Sequence, residues 1–420
     1  MSIESIYFKR ITIMPVLSFI KYIILLLLLY LFIYNPPFQA LSTSPVEFMI
    51  VPAILYIIVS WKWYNLIRVF KYEIFFFLLI IFFSFIRDYG RLGSVFFKAN
   101  LLLLLEAIVI PFSLITLYLK VDISRNFVKD ICLVGFIASL ITFVAIVFPP
   151  FNNFIRNGLL KQDDFSDFLL FRSFGISEGL TFGYGVVQGL IFALIFNYSR
   201  NSYKYLLALP FVLISILFNA RTGLVPVVFV LFYFYIIKGN LKYVLYTLLF
   251  VPSIYFLIHS DLFGEYGENI EWAFDFFVQI SDFLSGKAGD SDENTFDTLF
   301  GRMAVFPETT FEWFFGTGKN IFVETLGFNS DVGYIIQINY GGILYIFLFI
   351  VLIVYMIRRL SFIICKNEKW IVYLILFTIM IGNVKGLFIS VNPNFRFIML
   401  LYLFFVMKYK NSTIPIKNFL

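Results

Sequence analysis

Apolar runs return along almost the whole chain, each close to the length of one bilayer crossing, with short polar stretches between them. A bilayer core asks for roughly 20 residues of helix. Backbone in lipid must satisfy its own hydrogen bonds, so such runs are helices. The pattern predicts about twelve spans, near 14–34, 45–60, 72–86, 95–119, 129–149, 179–198, 203–219, 222–237, 242–258, 333–357, 370–390 and 394–408. Several look short, which leaves room for one or two re-entrant segments. The alternation over about ten residues that marks an outer-membrane barrel strand is absent.

Composition agrees. Of the 420 residues, 61% are hydrophobic and 14% charged, against about 25% charged in a soluble domain. The expected fold class is an all-α integral membrane protein of about 12 transmembrane helices, with a long external loop between spans 9 and 10. The 58 Phe and 26 Tyr read as lipid-facing bulk rather than as sugar-stacking platforms. Cys132 falls in a span and Cys365 in a cytoplasmic loop, and neither has metal-ligand spacing. A single histidine, His259 at the end of span 9, argues against a zinc site and suits the helix C-terminal dipole. No metal, cofactor or nucleic-acid partner is expected. Lys9, Arg10 and Lys21 flank an N-terminal apolar run through Tyr34 that reads as a signal anchor, because no small-residue cleavage site follows it.

Basic residues cluster in alternate connections: Lys9/Arg10, Lys62/Arg68/Lys71, Lys120/Arg125/Lys129, Arg200/Lys204, Lys238/Lys242, Arg358/Arg359/Lys366/Lys369 and Lys408/Lys410/Lys417. The positive-inside rule then places both termini in the cytoplasm. Three units follow. Residues 1–258 hold about nine spans, with an external loop near 150–178. Residues 259–332 form a long external loop, and residues 333–420 hold about three spans. The long loop carries 14 of the 26 acidic residues against Lys287, Arg302 and Lys319, a formal charge of −11. Within it, Ile270, Ala273, Phe274, Phe277, Ile280 and Leu284 recur at helical spacing, so Glu265–Leu284 predicts an amphipathic helix on the outer membrane boundary.

Three arginines break the charge rule by lying outside. Arg221-Thr222-Gly223 sits in the short connection between spans 7 and 8. Arg172 lies in Phe171-Arg172-Ser173-Phe174-Gly175, just ahead of Glu178 and span 6. Arg302 follows Gly301 in the long loop, ahead of Trp313-Phe-Phe-Gly-Thr-Gly318, Asp331-Val-Gly-Tyr334 and Tyr340-Gly-Gly342. A guanidinium is a planar fork of donors that matches phosphate oxygens, although an arginine there can also simply anchor a helix end. Glu178 is a candidate base, and Asp331 is either a base or an N-cap. Inside the spans, a charge costs about 2.5–3.5 kcal/mol on insertion scales. Lys98 and Glu106 share span 4, about 12 Å apart along the axis and roughly 80° around it. Each therefore needs a partner on another helix or a water-filled cavity, as does Lys385.

Taken in order, Arg172-Ser-Phe-Gly175, Arg221-Thr-Gly223, Gly301-Arg302, Trp313-Phe-Phe-Gly-Thr-Gly318, Asp331-Val-Gly-Tyr334 and Gly341-Gly342 resemble the O-antigen polymerase and O-antigen ligase superfamily over essentially the whole chain. The resemblance implies glycosyl transfer on the external face of the bacterial plasma (inner) membrane. The donor is an oligosaccharide on undecaprenyl diphosphate, and no nucleotide sugar is used. Arg172, Arg221 and Arg302 are then the expected diphosphate clamp, and Glu178 or Asp331 the base. Repeat units are polymerised into O-antigen or capsular polysaccharide, with membrane lipid around the chain and a chain-length regulator protein as a further partner. Two alternatives are an O-antigen ligase acting on lipid A–core, and a transporter or flippase for polysaccharide intermediates. Ligases of the family typically carry a histidine late in the long loop, and this loop has His259 only at its start.

Overall fold

A computed structural model describes residues 16–88, 95–121, 126–161, 173–178, 183–200, 202–237, 301, 303–319, 321 and 330–413. Among these, the apolar runs are helical. The chain forms α1 (Val16–Tyr34), α2 (Pro45–Val59), α3 (Trp63–Arg87), α4 (Val95–Leu104), α5 (Ile110–Val121), α6 (Phe127–Val147) and α7 (Pro149–Phe154). It continues through α8 (Gly183–Ser199), α9 (Leu209–Leu217), α10 (Leu224–Phe232), α11 (Thr310–Phe315), α12 (Gly333–Ile363), α13 (Trp370–Lys385) and α14 (Pro393–Thr413). No strand occurs among the described residues, only an antiparallel bridge between Phe38 and Leu160. Among the described residues, four helices are long and apolar enough to cross a membrane: Trp63–Arg87, Phe96–Val121, Phe127–Val147 and Gly333–Ile363. The ninth predicted span and the amphipathic helix expected over Glu265–Leu284 lie outside the described residues.

Several boundaries differ from the hydropathy reading. α3 begins at Trp63 rather than near 72. Leu66, Val69, Phe70, Glu73, Phe77 and Ile80 are buried at helical spacing, while Arg68 and Lys71 are exposed. Polar residues on the open face lower the hydropathy of this stretch without interrupting its buried stripe. The stretch expected to open the 150–178 loop instead starts as α7 and a π turn, Ile155–Leu159. The N-cap of α12 is Val332, not Asp331.

α4 and α5 form one rod through a π turn at Leu105–Val109, where the Ile110 N–H reaches back to the Leu105 carbonyl. Pro111 explains it. Proline has no N–H to give the preceding turn, and the ladder shifts register around the gap. α12 kinks where Gly342 takes φ 68°.

Two helices are buried on every side and lie at the centre. α8 is buried continuously from Gly183 to Phe196, and α14 from Phe395 to Met407. α8 packs on α6, α9, α10 and α14. Its Gly185 and Gly189 face Gly223 so closely that a Cβ on Gly189 would lie 2.2 Å from the Gly223 carbonyl oxygen. Small residues four apart permit such backbone approach between helices in lipid. A buried polar chain runs alongside. Ser139 donates to Gln188 at 3.1 Å, and Gln188 donates to the Tyr34 hydroxyl at 3.0 Å. At the periphery, Phe75, Leu78, Phe82 and Ile86 of α3 stay exposed, as lipid-facing residues would be.

Candidate functional site

The site is built at the bundle end that the charge pattern assigns to the outside. α1 stops there at Tyr34, and Asn35 follows with φ 42°, a left-handed turn that asparagine tolerates better than most residues. The Asn35 side chain works in two directions. Its Oδ1 accepts the Val46 N–H of α2 at 3.0 Å, and its Nδ2 donates to Glu178 Oε2 at 2.9 Å. Glu178 is further held by its own N–H, which donates to the Tyr34 carbonyl at 2.7 Å.

The same Glu178 oxygen meets Arg396 Nη2 at 2.8 Å, while Arg396 Nη1 meets Glu106 Oε2 at 3.2 Å. Arg396 and Glu106 are each 1% exposed, and Glu178 is 38% exposed. Glu106 sits in the π turn of the α4–α5 rod, and Arg396 lies in the first turn of α14. Glu106 thus has the partner on another helix that its place in a span demands. A charged group of this kind is stable in a low-dielectric interior only when paired and bonded.

Glu178 ends a segment that is tied at its other end as well. The Ser173 N–H donates to the Phe218 carbonyl at 3.0 Å. Ser173 directly follows Arg172, and Phe218 closes α9 three residues before Arg221. Two motif-bearing stretches therefore meet along the backbone. Gly175, with φ 55°, presses against Thr142 of α6 so tightly that a Cβ there would lie 2.9 Å from its hydroxyl. Residues 221–223 form a 3₁₀ turn packed on α8 by the glycine contact above. Of Arg221 the backbone alone is described, and Arg172 and Arg302 lie outside the described residues.

The glycine-rich motifs also meet each other. The short helix α11 is opened by a capping box in which Thr309 and Glu312 bond each other's backbone. Its end docks on the α12 kink: the Thr317 N–H donates to the Asn339 carbonyl at 2.6 Å and the Gly318 N–H to that of Tyr340 at 3.0 Å. Arg87 Nη2 donates to the Gly316 carbonyl, and Tyr340 donates to Asp88 at 2.9 Å. Sequence reasoning missed Arg87 and Asp88. Their signal was available, since Arg87 is another basic residue in a connection assigned to the outside. Asp331 is half-buried ahead of α12, and no described contact joins it to Glu178.

Among the described residues, several buried polar atoms at this end bond no protein group: Ser173 Oγ, both amide atoms of Asn219, Thr222 Oγ1, both amide atoms of Asn394, and Arg396 Nε. Buried polar groups are ordinarily bonded, so each such atom asks for an explanation. Among the described residues, no group of three His, Cys, Asp or Glu is placed to hold a metal ion. Neither a protein-family model nor a curated protein matches the chain.

Proposed function

We propose that the chain is a membrane glycosyltransferase of the O-antigen polymerase type, joining oligosaccharide repeat units carried on undecaprenyl diphosphate. The observation that carries the reading is the junction of the motif segments. Ser173, next to Arg172, is bonded to Phe218 beside the Arg221 turn, and the same short segment ends in Glu178, bonded to Arg396. Sequence pieces separated by tens of residues are gathered at one end of the bundle, where a lipid headgroup would sit.

The reaction needs few groups. An acceptor hydroxyl attacks the anomeric carbon of the donor sugar as the bond from that carbon to the diphosphate oxygen breaks. The electron pair leaves with the diphosphate, and the hydroxyl proton passes to Glu178 or Asp331. Guanidinium groups of Arg172, Arg221 and Arg302 stabilise the charge that grows on the leaving group. Loss of one such donor in other enzymes costs about 10²–10³ in rate. Arg396 and Asn35 orient Glu178 through one oxygen, and the side chain is 38% exposed. Pairing with Arg396 also accounts for Glu106 without any transported cargo.

The test is reconstitution. Purified protein in liposomes with lipid-linked repeat units should yield a ladder of longer lipid-linked glycans, and Arg221→Ala should abolish it at normal protein levels. Movement of the lipid across the bilayer with no new glycosidic bond rejects the reading in favour of transport. Transfer to lipid A–core with no ladder rejects it in favour of ligation.

A further inference from the structure

We infer that the apolar groove between α1, α2 and α5 seats the hydrocarbon chain of the lipid-linked donor, with that lipid's polar end at the outer mouth; this assignment depends on the polymerase reading. The groove holds about 330 Å³, within the range of ligand sites. Met49, Ala53, Ser113 and Leu114 form a buried floor, and the exposed Phe48 and Pro52 stand at the rim. The groove therefore opens sideways into lipid. The Ser113 hydroxyl lies 3.2 Å from the Ala53 carbonyl and 3.0 Å from that of Val109, so backbone takes its proton. The surface a chain meets is almost entirely hydrocarbon.

Position gives the groove a direction. From Pro45 to Tyr56 it follows α2 for about 16 Å, roughly half of the hydrocarbon core. Its outer mouth adjoins the site. Pro45 opens α2, and the next residue, Val46, donates its N–H to Asn35, whose amide also holds Glu178. Phe38 and Leu41 of the lining belong to the connection that begins with Asn35. Lys161 is tied to that connection. Its N–H donates to the Pro37 carbonyl at 2.7 Å and its ammonium to the Ser42 carbonyl at 3.4 Å. An exposed cation, the candidate base and the start of a hydrocarbon track thus share one mouth, the order that a chain with an anionic head requires.

Packing selects the chain. Moving from bilayer to groove takes no apolar surface out of water, so the hydrophobic effect gives no preference and close contact decides. The groove is a single track, whereas a phospholipid has two chains to place. Small residues, Ala53 and Ser113, face each other across it and leave room at its floor. A polyprenyl chain is single, and the methyl branch on every fourth carbon uses that room.

The test is photolabelling of the full-length protein in phosphatidylcholine nanodiscs. One undecaprenyl diphosphate probe carries a diazirine near the diphosphate, and a second carries it further along the chain. The first should mark the Pro45 end of the groove and the second the Tyr56 end, as read by peptide mass spectrometry. Unlabelled undecaprenyl diphosphate should suppress both, and phosphatidylglycerol neither. Ala53→Phe fills the track and should lower labelling about tenfold, the scale of an overpacked site. Phe48→Ala, at the open rim, should lower it about threefold, the scale of one aromatic contact. Phe82→Ala, on the exposed face of α3, should leave it unchanged.

Saturable labelling on another face of the bundle overturns the groove and leaves the polymerase reading standing. Suppression by phosphatidylglycerol does the same, because it makes the track a seat for ordinary phospholipid, and so does the reverse order of the two probes. If Ala53→Phe does not fold, Phe48→Ala against Phe82→Ala carries the test, and equal labelling of those two overturns the proposal. Absence of saturable labelling anywhere on the chain removes the polymerase reading and the groove together.

Discussion

Arg396 and Glu106 meet as a fully buried ion pair, Nη1 to Oε2 3.2 Å apart, joining the first turn of α14 to the π turn between α4 and α5. Burying two charges is costly, and their attraction offsets that cost only while both are present. Glu178 adds a second carboxylate from the half-exposed side, so one guanidinium serves a helix in the core and a connection at the mouth.

Removing one member should be far worse than removing both. Arg396→Ala strands Glu106 and should destabilise the fold by about 3–5 kcal/mol. The apolar double variant Arg396→Met/Glu106→Leu should recover most of that loss. Denaturant or thermal unfolding in lipid nanodiscs measures both. Additive losses in the two single variants, with no recovery in the double, would show that the two side chains do not act as a pair.

Gly189 should tolerate no side chain at all. A Cβ there would lie 2.2 Å from the Gly223 carbonyl oxygen and 3.1 Å from a ring carbon of Pro226. Gly189→Ala therefore has to push the Arg221 turn away from α8, at a cost of about 1–3 kcal/mol for overpacking. On the proposed reading, chain elongation falls with it. Gly158→Ala is the matched control, since the nearest atom to its added Cβ is 3.4 Å away on the Phe154 ring. Equal melting temperatures for the two variants would refute the packing argument.

Much of this fold could be read in the chain before any coordinates. The length of the apolar runs foretold helices. Three things stayed hidden, each for a physical reason. The first turns of α3 carry Arg68 and Lys71 on their open face, which masks a continuous buried stripe. The partner of Glu106 lies 290 positions away, and no local pattern links a carboxylate in one span to an arginine in another. Asn35 looks like an ordinary turn residue, and its polar atoms matter only once the surrounding helices have excluded water.

The docking of α11 on the α12 kink should depend on pH through Glu312. Its carboxylate accepts hydrogen bonds from Thr309 and the neighbouring backbone, which hold its pKa below the usual carboxylate range. A depressed carboxyl contributes stability that is complete above the unfolded value and is lost as pH falls through the folded value. Amide protection over Thr310–Phe315, taken relative to the intrinsic exchange rate at each pH, should therefore fall once the pH drops below the ordinary glutamate range. Glu312→Gln should remove that dependence, and an unchanged profile in the glutamine variant would assign it to another group.

Glu178 can serve as a base, as a tether, or as both, and two substitutions separate the roles. Glutamine keeps an oxygen for Asn35 and Arg396, so Glu178→Gln preserves the tie between residues 173–178 and the bundle while removing the proton acceptor. Glu106 keeps the Arg396 charge paired when Glu178 is neutralised, so the variant should fold and bind lipid diphosphate as the wild type does. Its turnover should fall by about 10²–10⁴, the usual contribution of a positioned general base. Alanine removes the tether too, and Glu178→Ala should weaken lipid binding in addition, because the segment following Arg172 loses its anchor on α14. If the glutamine variant elongates chains at the wild-type rate and only alanine fails, Glu178 is a tether. Asp331 is then the remaining candidate for the proton, and Asp331→Asn should show the loss of turnover instead.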